Sequence, residues 1–166
     1  MGEARVTRGD YLLSLVFLAS LGLLLLNDFL LKPYYPSSLS GILSDLAGMV
    51  FFPIFFVAIA EFIAVILPKS PLATPRWFYV ATALVAFLLV SVKFTDLGQE
   101  AYRALVAPLM DTPVAGLTVG GGGAVSDPWD LLALFLSPLP VLVGLRYRRQ
   151  RSTALDSEDG APEATG

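Results

Sequence analysis

The chain contains neither cysteine nor histidine among its 166 residues. Disulfides, thiol nucleophiles, zinc sites and haem ligation by imidazole are therefore excluded, and so is a Ser-His-Asp triad. Charged residues are also scarce, because they make up only 15% of the chain, against 55% hydrophobic residues. A soluble domain has about 25% charged residues. The length of 166 residues allows one domain. So small a share of charged residues indicates that this domain lies in a lipid bilayer.

Four segments are long and apolar enough to cross a membrane as helices, which takes about 20 residues. They cover residues 11–31, 44–67, 76–94 and 129–147, and Pro138 and Pro140 interrupt the last one. The sequence thus predicts an all-α fold, a four-helix transmembrane bundle formed by residues 1–151. We expect the first segment to remain attached, because no small-residue cleavage site follows it. The expected partner is the lipid bilayer; no nucleic acid is expected, and no protein partner is indicated.

Lysine and arginine are distributed unequally between the two sides of these segments. One side carries eight of them, namely Arg5, Arg8, Lys69, Arg76, Arg146, Arg148, Arg149 and Arg151. The other side carries three, namely Lys32, Lys93 and Arg103. Cytoplasmic loops are the ones enriched in these residues. The asymmetry predicts a multi-pass protein of the cell membrane with both the N- and C-termini in the cytoplasm.

The long outer loop, residues 95–128, begins with an amphipathic pattern over residues 96–109. Apolar or small residues recur on one side of a helix there, namely Leu97, Ala101, Ala104, Leu105 and Pro108. We expect this helix either to lie on the outer membrane surface or to cap the bundle. At the other end of the chain, residues 152–166 are small, acidic and polar, which predicts a disordered tail.

Polar residues gather where the segments reach the outer face. The candidates for a polar cluster there are Asn27, Asp28, Lys32, Ser44, Asp45, Lys93, Asp127 and Asp130. Polar groups at membrane depth are costly, so such residues are the first place to search for function. Four separate parts of the sequence contribute to this one membrane face.

Helix capping is a structural explanation for several of these residues. Asp127, followed by a proline, resembles an N-cap, and Asp130 then lies at the third helical position. Ser40 or Ser44 can cap the second helix, with Asp45 in its first turn. Acidic side chains near a helix N-terminus interact favourably with the helix dipole.

Ion pairing and snorkelling explain others, while one carboxylate lies deeper. Asp28 and Lys32 are four residues apart and can pair on one helix, and Lys93 can extend towards the headgroups. The dipole at a helix C-terminus, however, disfavours Asp28. Glu61 is an intramembrane residue of the second segment, nearer the inner face. It either snorkels inward or pairs with another helix, and such a carboxylate can relay a proton or bind a cation.

These same residues resemble the motifs of an uncharacterised family of small four-helix integral membrane proteins. Its pattern has Asn-Asp-x-x-Leu-Lys after the first span and Gly-Lys-Leu-Ser-Asp-x-Ala-Gly opening the second. Val-Lys ends the third span, and Asp-Pro-Thr-Asp-Leu-x-Ala-Leu-Pro opens the fourth. The corresponding residues here are 27–32, 41–48, 92–93 and 127–135.

Three positions depart from that pattern. Ile42 stands where the pattern has lysine, Trp129 where it has threonine and Phe135 where it has proline. The chain therefore lacks the cation that the pattern has at position 42. The resemblance implies a shared outer-face cluster, and it implies no activity.

Three functions fit these observations. The first, which we prefer, is a structural or accessory membrane protein whose paired charges tie helix ends together. The second is divalent-cation binding or transport, with Mg²⁺ or Ca²⁺ as the cofactor and oxygen ligands from Asp28, Asp45, Asp127 and Asp130. The third is an enzyme acting on a lipid headgroup or polyprenyl phosphate, with carboxylates as base or metal ligands. No recognised catalytic signature is present, which favours a non-enzymatic function.

Overall fold

The computed structural model describes residues 9–35, 37–65, 74–110 and 128–159, and these stretches contain helices and no strand. The helices are α1 (Leu15–Tyr34), α2 (Ser38–Val65), α3 (Pro75–Phe94), α4 (Asp96–Met110) and α5 (Pro138–Asp159). Two 3₁₀ helices, Asp10–Leu13 and Pro128–Leu136, precede α1 and α5. The predicted all-α fold is confirmed.

Four helical stretches are long and apolar enough to cross a membrane, as predicted. They are Leu15–Tyr34, Ser38–Val65, Pro75–Phe94 and Trp129–Gln150. The first begins later than predicted, because Ser14 has extended backbone angles and separates it from the 3₁₀ helix. The Ser14 side chain then caps α1 by accepting a hydrogen bond from the backbone N–H of Phe17 at 3.3 Å.

The second stretch begins six residues earlier than predicted, because Ser37 and Ser40 cap it. The N–H of Ser40 donates to Ser37 Oγ, and the N–H of Ser37 donates to Ser40 Oγ, both at 3.4 Å. This reciprocal arrangement is that of a capping box. The expected N-cap was Ser40 or Ser44, but Ser37 occupies that position, and Ser40 completes the capping box from the third helical position. Asp45 lies about two turns into α2, so its predicted place in the first turn is also wrong.

The last helix begins at a proline and continues beyond the predicted end of the membrane domain. Pro138 starts α5, where the missing N–H of proline costs no hydrogen bond. The hydroxyls of Ser152 and Thr153 both donate to the carbonyl of Arg149, at 2.9 and 3.1 Å. Residues 152–159 thus continue α5 rather than starting a separate tail, and residues 160–166 lie outside the described part.

Helix α2 is the centre of the bundle and packs against α1, α3 and the segment Pro128–Leu136. Its buried residues Val50, Ile54 and Val57 form one apolar core with residues of α1, α3 and α5. Helices α3 and α5 approach closely where Gly144 faces Phe78. A Cβ at Gly144 would lie 2.5 Å from the ring, so this contact requires glycine.

The buried charged side chains of the described residues lie at the two ends of the bundle, with mainly apolar layers between them. One end, which we term the Lys93 end, contains Asn27, Asp45, Lys93 and Asp130. The opposite end, which we term the Glu61 end, contains Tyr11, Glu61, Phe78 and Tyr147. The alternating direction of the helices explains this separation, since the end of one helix and the start of the next meet at the same side.

The sides of the bundle between the two ends are largely apolar. Large exposed hydrophobic residues occur on α1, α2, α3 and α5, among them Leu18, Phe52, Phe62, Val80, Leu84, Phe87 and Leu142. Soluble monomers rarely expose a contiguous apolar surface of this extent. The helices therefore present apolar side chains both to the core and to their surroundings.

Candidate functional site

At the Lys93 end, the ion pairs with the least exposed side chains join Asp45, Lys93 and Asp130. We term these three residues the Lys93 cluster. Lys93 Nζ lies 2.9 Å from Asp45 Oδ2 and 2.8 Å from Asp130 Oδ2. The side chain of Lys93 is 13% exposed, that of Asp45 is 18% exposed and that of Asp130 is 4% exposed. One ammonium group thus connects α2, α3 and the 3₁₀ helix before α5.

The local structure places each charge where the backbone favours it. Lys93 lies in the last turn of α3, where the helix dipole favours a cation. Asp130 lies in the first turn of the segment Pro128–Leu136, where an anion is favoured. Met49 and Ala133 belong to a buried apolar layer, one turn along from Asp45 and Asp130. Because this layer keeps water away from one side of the cluster, the attraction between its charges is less screened.

A second, more exposed contact joins α1 to α2. Lys32 Nζ lies 2.6 Å from Asp28 Oδ1 and donates to Ser44 Oγ at 3.1 Å, and Ser44 Oγ donates to Asp28 Oδ1 at 3.4 Å. The predicted pairing of Asp28 with Lys32 is confirmed. Both side chains of this pair are more than 40% exposed, so solvent screens the interaction.

Asn27 is more deeply buried than any other polar candidate among the described residues. Its side chain is fully inaccessible, and Nδ2 donates to the backbone carbonyl of Ser40 at 2.8 Å. Asn27 opens a π-helical stretch, Asn27–Leu31, within α1. The hydrogen bond fixes the π-helical stretch of α1 against the capped start of α2.

The four acids considered as metal ligands do not converge in the described part of the chain. Asp28 forms an ion pair with Lys32, whereas Asp45 and Asp130 both form ion pairs with Lys93. Asp127 lies outside the described residues. Within those residues, no group of three or more acidic side chains can hold a metal ion. The ammonium of Lys93 itself bridges the two carboxylates that come together. A Mg²⁺ or Ca²⁺ site remains a prediction.

Lys93 behaves differently from the sequence-based expectation. Snorkelling would direct its ammonium group outwards to lipid headgroups. In the structure the group turns to Asp45 and Asp130, and the side chain is only 13% exposed. The expectation of snorkelling is wrong, because two carboxylates from neighbouring helices stabilise the ammonium group inside the bundle.

The intramembrane candidate Glu61 lies at the opposite end and has an aromatic environment. The hydroxyl of Tyr11 donates to Glu61 Oε2 at 2.8 Å, and both residues are buried. The ring of Tyr11 packs edge-to-face against Phe78 and Tyr147, with centroids 5.2 Å apart in both cases. Of the two alternatives, pairing with another helical segment is confirmed over snorkelling.

Sequence reasoning did not identify Tyr11 as the partner of Glu61 or Tyr147 as the ring packed against Tyr11. A signal was present, because Tyr11 opens the first apolar segment and Tyr147 closes the last one. Alternating helices bring those two positions to the same side as the end of the second segment, where Glu61 lies.

The polar candidates thus form several separate contacts rather than one site. Asn27, the Asp28–Lys32 pair and the Lys93 cluster have different partners and different exposure. The resemblance to a family of four-helix membrane proteins remains a prediction. No protein-family model, curated protein or solved structure matches this chain.

Proposed function

We propose that this chain is a four-span integral protein of the cell membrane with both termini in the cytoplasm. We further propose that the Lys93 cluster is structural: it locks three helical segments together, in a structural or accessory protein. The observation that carries this proposal is the ammonium of Lys93, held within 2.9 Å of carboxylates from two other helical segments.

Membrane insertion is supported by the apolar sides of the helices. Phe62, Val80 and Phe87 are each about two-thirds exposed or more, and they lie on helices long enough to span a bilayer. In water such side chains would be costly, whereas lipid tails solvate them. Polar and charged groups are instead concentrated at the two ends of the bundle.

The proposed orientation is supported by arginines near the Glu61 end. Arg76 opens α3, and Arg146, Arg148 and Arg149 lie around Tyr147 in α5; all four are exposed. The excess of basic residues favours this end as the cytoplasmic one. The Lys93 end then lies at the outer face.

The structural interpretation of the Lys93 cluster is supported by its charge pairing. A buried carboxylate is tolerated when a cation and hydrogen bonds satisfy it. Asp45 and Asp130 both form an ion pair with Lys93, and a metal cation bound at the same point would have to displace that ammonium group. A metal site or a metal-dependent headgroup enzyme would need carboxylates that are free of lysine.

Thermal unfolding of the purified full chain in detergent tests the structural interpretation. The melting temperature is measured in a chelator and then in Mg²⁺ or Ca²⁺, for the wild type, Asp45→Asn and Asp130→Asn. We expect both variants to have a lower melting temperature than the wild type. Neither Mg²⁺ nor Ca²⁺ should raise the melting temperature of any of the three proteins. Asp28→Asn is the matched control, because its carboxylate pairs with lysine on the surface, and it should melt close to the wild type.

A metal-dependent rise for the wild type that both variants lose would replace this proposal with the cation site. A rise that survives in both variants would indicate metal binding elsewhere on the chain. Phosphorylated lipids would become the next ligands to test only after the first of these results.

The absence of cysteine allows a direct test of the topology. Single-cysteine variants Leu39→Cys, at the start of α2, and Ser152→Cys, in α5, are labelled in intact cells with a membrane-impermeant maleimide. Both side chains are exposed, so both sites can react once the reagent reaches them. We expect labelling of the Leu39→Cys variant alone, and labelling of the Ser152→Cys variant only after permeabilisation. The reverse pattern would contradict the orientation, and labelling of both in intact cells would contradict the four-span topology.

A further inference from the structure

Helix α4 leaves α3 at a corner that one residue, Thr95, fixes. Thr95 has extended backbone angles (φ −128°, ψ 140°) and forms the C-cap of α3. Its hydroxyl donates to the carbonyl of Ser91 at 2.7 Å and accepts from the N–H of Gly98 at 3.0 Å. The Thr95 side chain thus forms hydrogen bonds with a backbone carbonyl at the end of α3 and with a backbone N–H at the start of α4.

Close packing at Gly98 fixes the same corner. A Cβ at this position would collide with the backbone of Ser91 and Val92. Only glycine allows α4 to begin this close to the last turn of α3. The direction of α4 relative to the bundle is therefore determined by its first residues.

Helix α4 has separate apolar and charged faces. At 100° per residue, Leu97, Ala101 and Leu105 lie on one face. The charged residues Asp96, Glu100 and Arg103 lie on a separate face, whose centre is about 130° from that of the apolar face. All six side chains are exposed, and Leu97 and Leu105 reach 77% and 72%.

The flank of α4, and not its apolar face, is the part that is half-buried. Gly98 and Tyr102, which lie between the two faces, have intermediate exposure. A helix that capped the bundle would bury Leu97 and Leu105 against it. Among the described residues nothing covers these two leucines, so the capping alternative does not account for the structure.

Other side chains at the Lys93 end indicate what covers the apolar face. Tyr34, Tyr35 and Trp129 are 72%, 73% and 63% exposed, and all three lie at the helix ends there. Tyrosine and tryptophan at helix ends mark the level of the lipid headgroups. Phe94, the last residue of α3, is also exposed, and only Thr95 separates it from α4. The apolar face thus continues a surface suited to lipid.

We propose that α4 lies in the plane of the membrane, with Leu97, Ala101 and Leu105 inserted at the headgroup–acyl boundary of the outer leaflet. This inference rests on the proposed four-span topology. Its partner is the lipid surface itself, held by apolar area. The charged face has one arginine against two acids, so zwitterionic lipid suffices and anionic lipid is not required. The Lys93 cluster then lies close to the same boundary, because Lys93 is only three residues before α4.

Depth-dependent fluorescence quenching tests this inference on the full chain in phosphatidylcholine vesicles. An environment-sensitive fluorophore is attached to Leu97→Cys and Leu105→Cys on the apolar face. Glu100→Cys and Arg103→Cys on the charged face are the matched pair, and Leu88→Cys in the middle of α3 reports membrane insertion. Lipids with a quencher near the headgroup, lipids with a quencher deep in the acyl chains, and aqueous iodide are compared.

We expect shallow lipid quenching at positions 97 and 105 to exceed that at 100 and 103 by at least about twofold, with iodide showing the opposite order. Adding anionic lipid should not change this ratio. Equal quenching of all four positions would overturn the inference. So would leucine positions shielded from both lipid and iodide, because a protein surface or a second copy would then cover them.

The probe at position 88 separates the two proposals. Deep quenching at 88 without lipid quenching at 97 and 105 would overturn the in-plane helix and leave the four-span topology intact. A probe at 88 that iodide quenches and lipid does not would overturn the topology itself.

Discussion

The Lys93 end and the Glu61 end stabilise buried charge in different ways. At the Lys93 end, two carboxylates and one ammonium group form a cluster between three helical segments. At the Glu61 end, a carboxylate accepts a hydrogen bond from a phenol inside a set of aromatic rings. The first contact joins opposite charges, whereas the second joins a carboxylate to a neutral phenol within packed aromatic rings.

This difference determines which change each end tolerates. Removing the cation from a buried cluster leaves carboxylates without compensation, which costs far more than the pair itself contributes. Removing a neutral donor costs a single hydrogen bond. The Lys93 end should therefore be sensitive to charge, and the Glu61 end to shape.

The largest effect should come from Lys93→Met. Asp45 and Asp130 then face each other without a cation, and we expect a loss of about 3 kcal/mol in the free energy of unfolding. Denaturant unfolding in mixed micelles measures this loss. Lys32→Met is the matched control, because it removes a lysine from an exposed pair, and it should change stability by less than about 0.5 kcal/mol. Equal losses of unfolding free energy in the two variants would contradict the prediction that the buried ion pairs contribute more to stability than the exposed pair.

The next effect should come from Gly144→Ala, which tests packing at the Glu61 side of the core. The added Cβ would lie 2.5 Å from the Phe78 ring, so α3 and α5 must separate. We expect a loss of about 1–3 kcal/mol, as for overpacked cores. Gly22→Ala is the control, because a Cβ there meets nothing within 4 Å, and it should be neutral or slightly stabilising. A tolerated Gly144→Ala would show that this helix contact is not close.

A smaller effect is expected for Tyr11→Phe. The variant keeps the ring packing and removes only the hydrogen bond to Glu61, so we expect a loss of about 1–2 kcal/mol. Thermal unfolding of the variant is compared with Tyr34→Phe, whose tyrosine is 72% exposed. A loss as large as that of Lys93→Met would mean that the Glu61 end depends on the phenol as strongly as the other end depends on its cation.

The smallest effect should come from Asp28→Asn. Its pair with Lys32 is more than 40% exposed, so screening by solvent leaves about 0–0.5 kcal/mol. Unfolding at low and high salt measures both the loss and its screening. A loss above about 1 kcal/mol that salt does not reduce would mean that this pair belongs with the buried cluster.

The charged residues were the predictable part of both ends. In a chain with 15% charged residues, Asp45, Lys93 and Asp130 stand out against apolar surroundings. Segment length and hydropathy likewise predict four helices. Which charges pair was not predictable, because pairing depends on helix rotation. Asp45 faces Lys93 because the rotation of α2 that packs Met49 against Val85 and Ala133 also turns Asp45, one turn earlier, to the same side.

The aromatic residues were the unpredictable part. The positions of Tyr11 and Tyr147 at the ends of apolar segments place them at the same side of the bundle as Glu61, but they do not show that Tyr11 bonds to Glu61 and packs against Tyr147. Their role follows from a contact fifty residues apart in the chain, between Tyr11 and Glu61. Similarly, Gly144 reveals its close contact with Phe78 only when α3 and α5 are packed together.

A double-mutant cycle between Lys93→Met and Asp130→Asn tests the central claim most directly. Unfolding free energies are measured for the wild type, both single variants and the double variant. If Lys93 locks the helix ends through Asp130, the double variant should lose less than the sum of the singles, with a coupling of at least about 1 kcal/mol. Losses that add within about 0.3 kcal/mol would contradict the claim, because the two residues would then act independently.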